Sequence, residues 1–299
     1  MSRKVLFVFN PFSGKGLIKD HLLAIVDTMV KADCEVVIYP TQYSGDACRK
    51  VQAEAADYDL VVCSGGDGTL DEVVTGLNRS GADVPIGYIP AGSTNDYANS
   101  LGIPSVMEEA ARIAVSGEEF RSDVGSFNDD TFVYVAAFGL FTEVSYSTPQ
   151  NMKNMLGHAA YILEGAKHLM DIPAYIMQVE HDGHIFQDKF IYGMISNSES
   201  VGGFKGITGP DVSLNDGLLE VTLIRMPSNP IELSDVISYL TGLTSDSDMV
   251  YSFKTDHIRI TSRGKVAWTL DGEFGGDHEE VNIKTMKEML RIMVSPDKN

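Results

Sequence analysis

The chain has few basic residues, and this shortage limits the partners that it can attract over a distance. Its 299 residues include 23 lysines and arginines against 42 aspartates and glutamates, which gives a formal net charge of −19 at pH 7. Long-range attraction to DNA, RNA or an anionic membrane surface is therefore disfavoured. We expect no nucleic-acid partner, and any anionic ligand must be held by groups that lie close to it.

Cysteines and long apolar runs are also scarce. The odd number of cysteines and their wide spacing exclude a C-x-x-C metal pair and favour reduced thiols in the cytosol: Cys34, Cys48 and Cys63. The longest apolar runs, such as residues 5–9, fall far short of the roughly 20 residues that span a bilayer. The first ten residues carry no secretory signal pattern. The sequence therefore predicts a cytoplasmic protein.

The first third of the chain alternates between apolar and amphipathic segments. Strand patterns stand at 5–9, 36–39, 60–63 and 86–89, and helical patterns at 19–31, 46–56, 70–77 and 106–116. This alternation of strand and helix patterns is typical of a parallel sheet with helices on both faces. We predict an α/β nucleotide-binding domain over residues 1–123.

Beyond about residue 120 the pattern changes to short alternating strands, one of them at 131–137, with turn signals between them. One such signal is the dipeptide Asp182-Gly183, which favours a hairpin. We predict a β-rich sandwich domain over residues 124–299 that holds a lipid substrate. The last 15 or so residues are expected to pack back on the first domain.

Three polar loops that contain glycine follow strands of the first domain. They are FNPFSGKG at 9–16, SGGDGTL at 64–70 and PAGSTNDYA at 90–98. Loops after parallel strands share one edge of the sheet, so we expect the three to converge. Glycines let main-chain N–H groups approach an anion, and a helix N-terminus adds a positive dipole end. The loops therefore predict a phosphate site, although a glycine cluster alone could be a tight turn.

Two common phosphate motifs are missing from these loops. Around Gly14-Lys15-Gly16, neither the upstream glycine nor the Ser or Thr of a Walker A loop is in place. A Rossmann G-x-G-x-x-G fingerprint is also missing. The phosphate site must therefore be of another kind.

Taken together, the motifs resemble the diacylglycerol kinase catalytic-domain family of lipid kinases. The matching segments are Asn10-Pro11 with Ser13-Gly14, Gly65-Gly66-Asp67-Gly68-Thr69, Pro90-x-Gly92-Ser93-x-Asn95-Asp96, GGFKGITGPDVSLNDGLLEV at 202–221 and DGE at 271–273. The match runs in order through nearly the whole chain. It implies an NAD kinase/diacylglycerol kinase-like fold with the active site in the cleft between the domains.

The resemblance implies that ATP is held by the loops of the first domain. The residues that it assigns to the nucleotide are Asn10, Pro11, Ser13, Gly14, Thr41, Gly65, Gly66, Asp67, Gly68, Thr69, Leu70, Ser93 and Asp96. Asp67 and Asp96 would also face the catalytic Mg²⁺ through water, because this ion keeps part of its hydration shell. The alternatives are a turn aspartate at position 67 and a helix cap at position 96.

Two positions depart from the family pattern. Ser93 stands where the family usually has Thr, which preserves the hydroxyl, and Asn99 stands where it often has Arg, which removes a charge.

In the second domain, phosphoryl transfer needs a base for the attacking hydroxyl. Asp271 is the candidate, with a β-turn role as its alternative, and Glu273 could share or hold the function. The sequence does not separate the two.

The resemblance also implies a structural Mg²⁺ in the loop SLNDGLL. Its ligands would be Ser213, Asp216 and the main-chain carbonyl of Leu218, all oxygen donors that suit this ion. Asp123 would link the ion to the active site by hydrogen bonds. An ordinary turn at residues 215–217 is the alternative.

Three further features have mainly structural interpretations. His181 and His184 flank a hairpin turn and are expected to be exposed polar residues. The methionine-rich stretch at 151–170 is a core helix or a lip beside a lipid pocket. Four lysines could form a basic rim for anionic headgroups or be solvated singly: Lys153, Lys167, Lys189 and Lys205.

We therefore predict an ATP- and Mg²⁺-dependent lipid kinase that converts diacylglycerol to phosphatidic acid and binds transiently to the inner membrane surface. The alternatives are a kinase of another lipid, such as a sphingoid base or phosphatidylglycerol, and an NAD kinase, which NPFSGKG and the D-G-x-L segment disfavour. A nucleotide-binding regulatory module without turnover is a third alternative, disfavoured by Asp67, Asp96 and Asp271. The sequence leaves a homodimer open.

Overall fold

A computed structural model of the chain describes residues 2–140, 173–202, 204–205, 207–209, 211–240 and 243–296. They belong to two compact units, unit 1 with Met1–Ser122 and Glu288–Asn299, and unit 2 with Asp123–Lys287. The methionine-rich stretch at 151–170, with Lys153 and Lys167, lies outside the described residues, as does the side chain of Lys205.

Unit 1 is an α/β sandwich around a parallel sheet. Its strands are β1 (Arg3–Phe9), β2 (Cys34–Pro40), β3 (Leu60–Gly65) and β4 (Ile86–Pro90). They pair in the order β2-β1-β3-β4, all parallel. Strands β3 and β4 are buried along their whole length, as expected when helices cover both faces. The parallel sheet predicted from the sequence is confirmed.

The helices of unit 1 connect these strands. They are α1 (Ile18–Lys31), α2 (Asp46–Glu54), a 3₁₀ turn (Ala55–Asp57), α3 (Asp67–Ser80), α4 (Asp96–Ser100) and α5 (Met107–Ser116). In α3 the apolar side chains that recur at helical spacing are buried: Leu70, Val73, Val74 and Leu77. A Cβ on Gly76 would lie 2.7 Å from the carbonyl oxygen of Cys48, so this glycine lets α2 and α3 approach closely.

Unit 2 is built from antiparallel strands. The remaining elements in the described part of the chain are β5 (Glu118–Phe127), β6 (Asp130–Phe132), β7 (Val135–Gly139), β8 (Tyr175–His181), β9 (His184–Ser196), β10 (Ser200–Val201), β11 (Phe204–Lys205), β12 (Leu219–Arg225), α6 (Pro230–Leu240), β13 (Val250–Thr255), β14 (His257–Leu270) and β15 (Glu273–Val294). The main sheet runs β13-β12-β9-β7-β14-β15, and β8 pairs with both β9 and β14. Its core includes Trp268, whose ring centroid lies 4.8 Å from that of Phe138.

The longest strand, β15, passes from unit 2 into unit 1. Strand β15 ends in this unit, where Ile292 pairs in parallel with Ile86 of β4. Among the residues that the structure covers, no helix is long and apolar enough to cross a bilayer.

Two details of unit 2 differ from the sequence pattern. The strand expected at 131–137 is interrupted, because β6 ends at Phe132 and β7 begins at Val135. The hairpin at Asp182-Gly183 forms as predicted, with His181 opposite His184. His181, however, is not an exposed polar residue, since its ring stacks on Phe253 at 3.9 Å and its side chain is 13% exposed.

Candidate functional site

The three glycine-containing loops of unit 1 meet at the carboxyl edge of the parallel sheet. The N–H of Gly66 donates a hydrogen bond to Ser13 Oγ at 2.9 Å, which joins the first loop to the second. A Cβ on Gly92 would lie 2.6 Å from Gly66 Cα, and one on Gly14 would lie 2.3 Å from the carbonyl oxygen of Ala91. The third loop therefore packs main chain against main chain on both of the others. The predicted convergence is confirmed, and it depends on glycine at these positions.

Helix α3 begins at this meeting point. Its first residue is Asp67, directly after Gly65 and Gly66, so the positive end of the helix dipole lies beside the three loops. Thr69 and Leu70 are buried in the first turn, and a Cβ on Gly65 would lie 2.3 Å from Thr69 Oγ1. The side chains of Thr69 and Leu70 therefore pack within this turn, whose main-chain N–H groups face the helix N-terminus. This corner of the sheet has the features of a phosphate cradle.

Asp67 connects the second loop to the third. Its Oδ2 accepts a hydrogen bond from the N–H of Asp96 at 3.2 Å, and its Oδ1 accepts one from the N–H of Tyr97 at 3.3 Å. Thr94 Oγ1 donates to Oδ2 at 3.4 Å. Asp67 thus caps the N-terminus of α4 from another part of the chain. Asp96 begins that helix with its side chain fully buried, so two buried aspartates come from neighbouring loops.

The third loop is closed by its own asparagines. Asn95 adopts φ +51°, and its Oδ1 accepts a hydrogen bond from the N–H of Gly92 at 2.8 Å. Asn99, which stands where the family often has Arg, donates from Nδ2 to the carbonyl of Thr94 at 3.0 Å. Ser93, in the same loop, is exposed. In this chain, position 99 holds the loop rather than supplying a charge to a ligand.

A fourth segment, after β2, carries Thr41. This residue is buried, and its N–H donates to the carbonyl of Phe9 at 2.9 Å, next to Asn10. The following N–H, of Gln42, donates to Asp46 Oδ2 at 2.9 Å. Asp46 is fully buried. Burial alone would raise its pKa, but hydrogen bonds from Arg49, Gln42 and Tyr39 outweigh it and hold the pKa below the ordinary value.

Asp46 was not singled out in the sequence, and neither was Glu72. The carboxylate of Glu72 accepts the N–H groups of Gly45 and Ala47 at 2.8 and 3.0 Å. It therefore caps α2 from α3, which no local pattern could indicate. For Asp46 the sequence did contain a signal, because an aspartate that follows a glycine at the start of a helical pattern is typical of a helix N-terminus.

In unit 2, Asp271 fixes the break between β6 and β7. The residue is buried with φ +50°, and its carboxylate accepts hydrogen bonds from the N–H groups of Val133, Tyr134 and Val135 at 2.6, 3.0 and 2.8 Å. Its own N–H donates to the carbonyl of Val135 at 2.8 Å. These bonds orient both carboxylate oxygens toward the main chain. Glu273, by contrast, begins β15 with an exposed side chain.

The loop at 213–218 is held by Asp123. The Oδ2 of this buried aspartate accepts the N–H of Gly217 at 2.7 Å, and its own N–H donates to the carbonyl of Leu214 at 2.7 Å. Asn197, which the sequence reading did not single out, donates from Nδ2 to the carbonyls of Asp123 and Leu214 at 2.7 and 3.3 Å. Asp123 is thus hydrogen-bonded to this loop, and the link to the active site that the resemblance implies stays a prediction.

The same loop does not fit Mg²⁺ on the three oxygens that the resemblance implies. Asp216 Oδ1 accepts the N–H of Leu218 at 3.0 Å, and Oδ2 lies 3.1 Å from the ammonium nitrogen of Lys254. Ser213 Oγ donates to Asn215 Oδ1 at 3.3 Å. Mg²⁺ demands near-octahedral oxygen ligands at about 2.0–2.1 Å. The carboxylate in this loop is instead paired with a lysine.

Both halves of the chain match family models. Residues 4–127 match the diacylglycerol kinase catalytic domain. Residues 135–294 match the YegS C-terminal NAD kinase beta sandwich-like domain. Together the two matches span most of the chain, in the order expected from the sequence.

Similar proteins and structures agree with these matches. A diacylglycerol kinase of Bacillus subtilis (strain 168) is 32% identical over 277 residues, which cover 92% of this chain and 91% of the relative. One of Staphylococcus carnosus (strain TM300) is 30% identical over 299 residues, covering 99% and 97%. A solved structure of a diacylglycerol kinase from Bacillus anthracis str. Sterne has the same fold, with a TM-score of 0.78 at 23% identity over 99% of this chain and 98% of that chain. The chain therefore belongs to the diacylglycerol kinase catalytic-domain family, and it is an enzyme of the kinase class.

Proposed function

We propose that this enzyme transfers the γ-phosphoryl group of ATP to the hydroxyl of a membrane lipid, converting diacylglycerol to phosphatidic acid. The observation that carries the proposal is the meeting of three glycine-containing loops at the N-terminus of α3. The names of the relatives, diacylglycerol kinases at about one-third identity, support this choice of acceptor.

Main-chain groups of unit 1 hold the triphosphate. Gly66 and Gly92 present their Cα atoms to each other, so backbone N–H groups stand where a side chain would otherwise exclude an anion. The N–H of Gly66 bonds to Ser13 Oγ, a contact that a phosphate oxygen can replace. Asn10 and Thr41 lie at the ends of β1 and β2 and would border the adenosine. This cradle compensates locally for the acidic charge of the whole chain.

Asp67 and Asp96 suit a hydrated catalytic Mg²⁺. Both are buried, and Asp67 lies at the start of the helix that receives the phosphates. When bound, the ion would neutralise charge on the phosphoryl group in transfer. Asp67 also keeps α4 in place, so its carboxylate has a fixed direction.

The base is assigned to Glu273 rather than Asp271. Both oxygens of Asp271 already accept main-chain hydrogen bonds, whereas Glu273 is exposed on the other side of Gly272. In the transfer, the acceptor oxygen forms a bond to the γ-phosphorus and the bond to the β–γ bridging oxygen breaks. ADP leaves, and the hydroxyl proton goes to the Glu273 carboxylate. Asp271 acts by positioning the turn that presents Glu273.

The test is transfer of label from [γ-³²P]ATP into acceptors presented side by side. The panel contains diacylglycerol, a sphingoid base and phosphatidylglycerol in mixed micelles, and NAD in solution. We expect phosphatidic acid to carry the label, and Asp67→Asn to abolish it. Label in another lipid or in NAD would show that this molecule, and not diacylglycerol, is the acceptor. Tight ATP binding with no transfer would overturn the enzymatic proposal.

A further inference from the structure

Lys254 lies at the centre of a charged cluster in unit 2 that the proposed function does not use. Its ammonium nitrogen donates to the carbonyl of Asp211 at 2.7 Å and to Asp216 Oδ2 at 3.1 Å. It also forms an ion pair with Glu220 Oε1 at 3.3 Å. One lysine thus contacts both ends of the segment 211–220, which includes the loop expected to hold a structural Mg²⁺.

The lysine is anchored by the sheet. Glu220 of β12 and Lys254 of β13 are directly opposite in the antiparallel register. The Glu220 side chain is 3% exposed, and within the described part of the chain neither of its oxygens accepts a hydrogen bond. Withdrawal of Lys254 would leave this buried carboxylate without a counter-charge, which is strongly unfavourable.

A divalent ion and Lys254 exclude each other at this place. Mg²⁺ ligated by Asp216 would stand about 2 Å from a carboxylate that already contacts an ammonium group. The two cations would then repel at close range. Because Glu220 holds the Lys254 ammonium beside the loop, the ammonium is favoured over Mg²⁺ as the cation at Asp216.

We propose that the ammonium of Lys254 is the resident cation of segment 211–220 in this chain, in place of a structural divalent ion. The segment then keeps its shape in the absence of Mg²⁺. This inference concerns a site apart from the transfer chemistry and does not depend on the proposed function.

The first test uses the wild-type protein without nucleotide. Mn²⁺ is titrated and followed by electron paramagnetic resonance, in the wild type, in Asp67→Asn and in Asp216→Asn. We expect Asp216→Asn to leave Mn²⁺ binding unchanged, and removal of Mg²⁺ by EDTA to change Tm by less than about 1 °C. A micromolar Mn²⁺ site that survives Asp67→Asn and disappears in Asp216→Asn would overturn the proposal.

The second test removes the lysine. We expect Lys254→Met to lower Tm by about 5 °C or more, because Glu220 loses its counter-charge. Millimolar Mg²⁺ should recover part of this loss, since the acidic groups then accept another cation. Lys265→Met, at an exposed position of the same unit, is the matched control and should leave Tm unchanged. A Lys254→Met protein as stable as the wild type would contradict the role of Lys254, and if that variant fails to fold, the wild-type titration decides.

Discussion

Ser13 Oγ accepts a hydrogen bond from the N–H of Gly66 at 2.9 Å, across 53 positions of the sequence. This bond joins the loop after β1 to the loop after β3, at the start of α3. Gly92 lies against the same Gly66, so three chain segments share one small space. The space is suited to main-chain recognition of a phosphate because Gly66 and Gly92 bring no side chains of their own into it.

The first prediction concerns Gly92. In Gly92→Ala, the new Cβ would lie 2.6 Å from Gly66 Cα, so the second and third loops must separate. We expect ATP affinity, measured with a fluorescent ATP analogue, to fall at least about tenfold, equivalent to about 1.4 kcal/mol. Gly264→Ala is the matched control, because a Cβ there meets nothing within 4 Å. Equal affinities for the two variants would refute a main-chain cradle at this position.

The second prediction concerns the capping role of Asp67. Asp67→Ala leaves the N–H groups of Asp96 and Tyr97 without their acceptor, so we expect the free energy of unfolding to fall by about 1–3 kcal/mol. Urea denaturation measures the change. Asp27→Ala, which removes an exposed ion pair with Lys31, should cost no more than about 0.5 kcal/mol. If Asp67→Ala loses transfer activity at full stability, the carboxylate acts on the ligand and not on α4.

The third prediction separates Asp271 from Glu273. Glu273→Gln should reduce kcat by about 10²-fold or more while Tm stays unchanged, as expected for loss of a general base at an exposed position. Asp271→Asn should lower stability by about 1–3 kcal/mol, because the amide nitrogen that replaces one carboxylate oxygen cannot accept a hydrogen bond, so at least one of the N–H groups of residues 133–135 loses its acceptor. The kinetics and melting of both variants are measured together. The reverse pattern, with a stable but inactive Asp271→Asn, would return the base to position 271.

The fourth prediction concerns pH and Asp46. The folded-state pKa of this carboxyl is depressed, so its contribution to stability is complete above the ordinary Asp pKa of about 3.9 and is lost as pH falls through the folded-state value. Asp46→Asn should therefore be less stable than the wild type at pH 7. The difference in free energy of unfolding between the two proteins, the stability gap, should narrow below about pH 4. Urea titrations at several pH values measure it. A gap that stays constant down to pH 3 would mean that the charge of Asp46 contributes nothing.

The sequence predicted the local parts of unit 1 well. The helical spacing of Leu70, Val73 and Val74 and the buried runs of β3 and β4 are short-range patterns, so they can be recognised without knowing the fold. The convergence of the glycine loops followed from one rule of parallel sheets. In unit 2 the local patterns predicted the hairpin at 182–183 but missed the break after Phe132. Asp271 imposes this break, and it lies 138 positions along the chain from Val133, whose N–H it accepts.

By itself, therefore, the sequence determined the alternation of strands and helices, the position of the glycine loops and the family of the chain. The tertiary structure alone decided which partners the carboxylates contact. Asp67 accepts main-chain N–H groups of α4, Asp271 accepts those at the start of β7, and Asp216 pairs with the ammonium of Lys254. The reason is physical. Periodicity and turn chemistry act between near neighbours, whereas the hydrogen bonds that fix a buried charge join segments that only folding brings together.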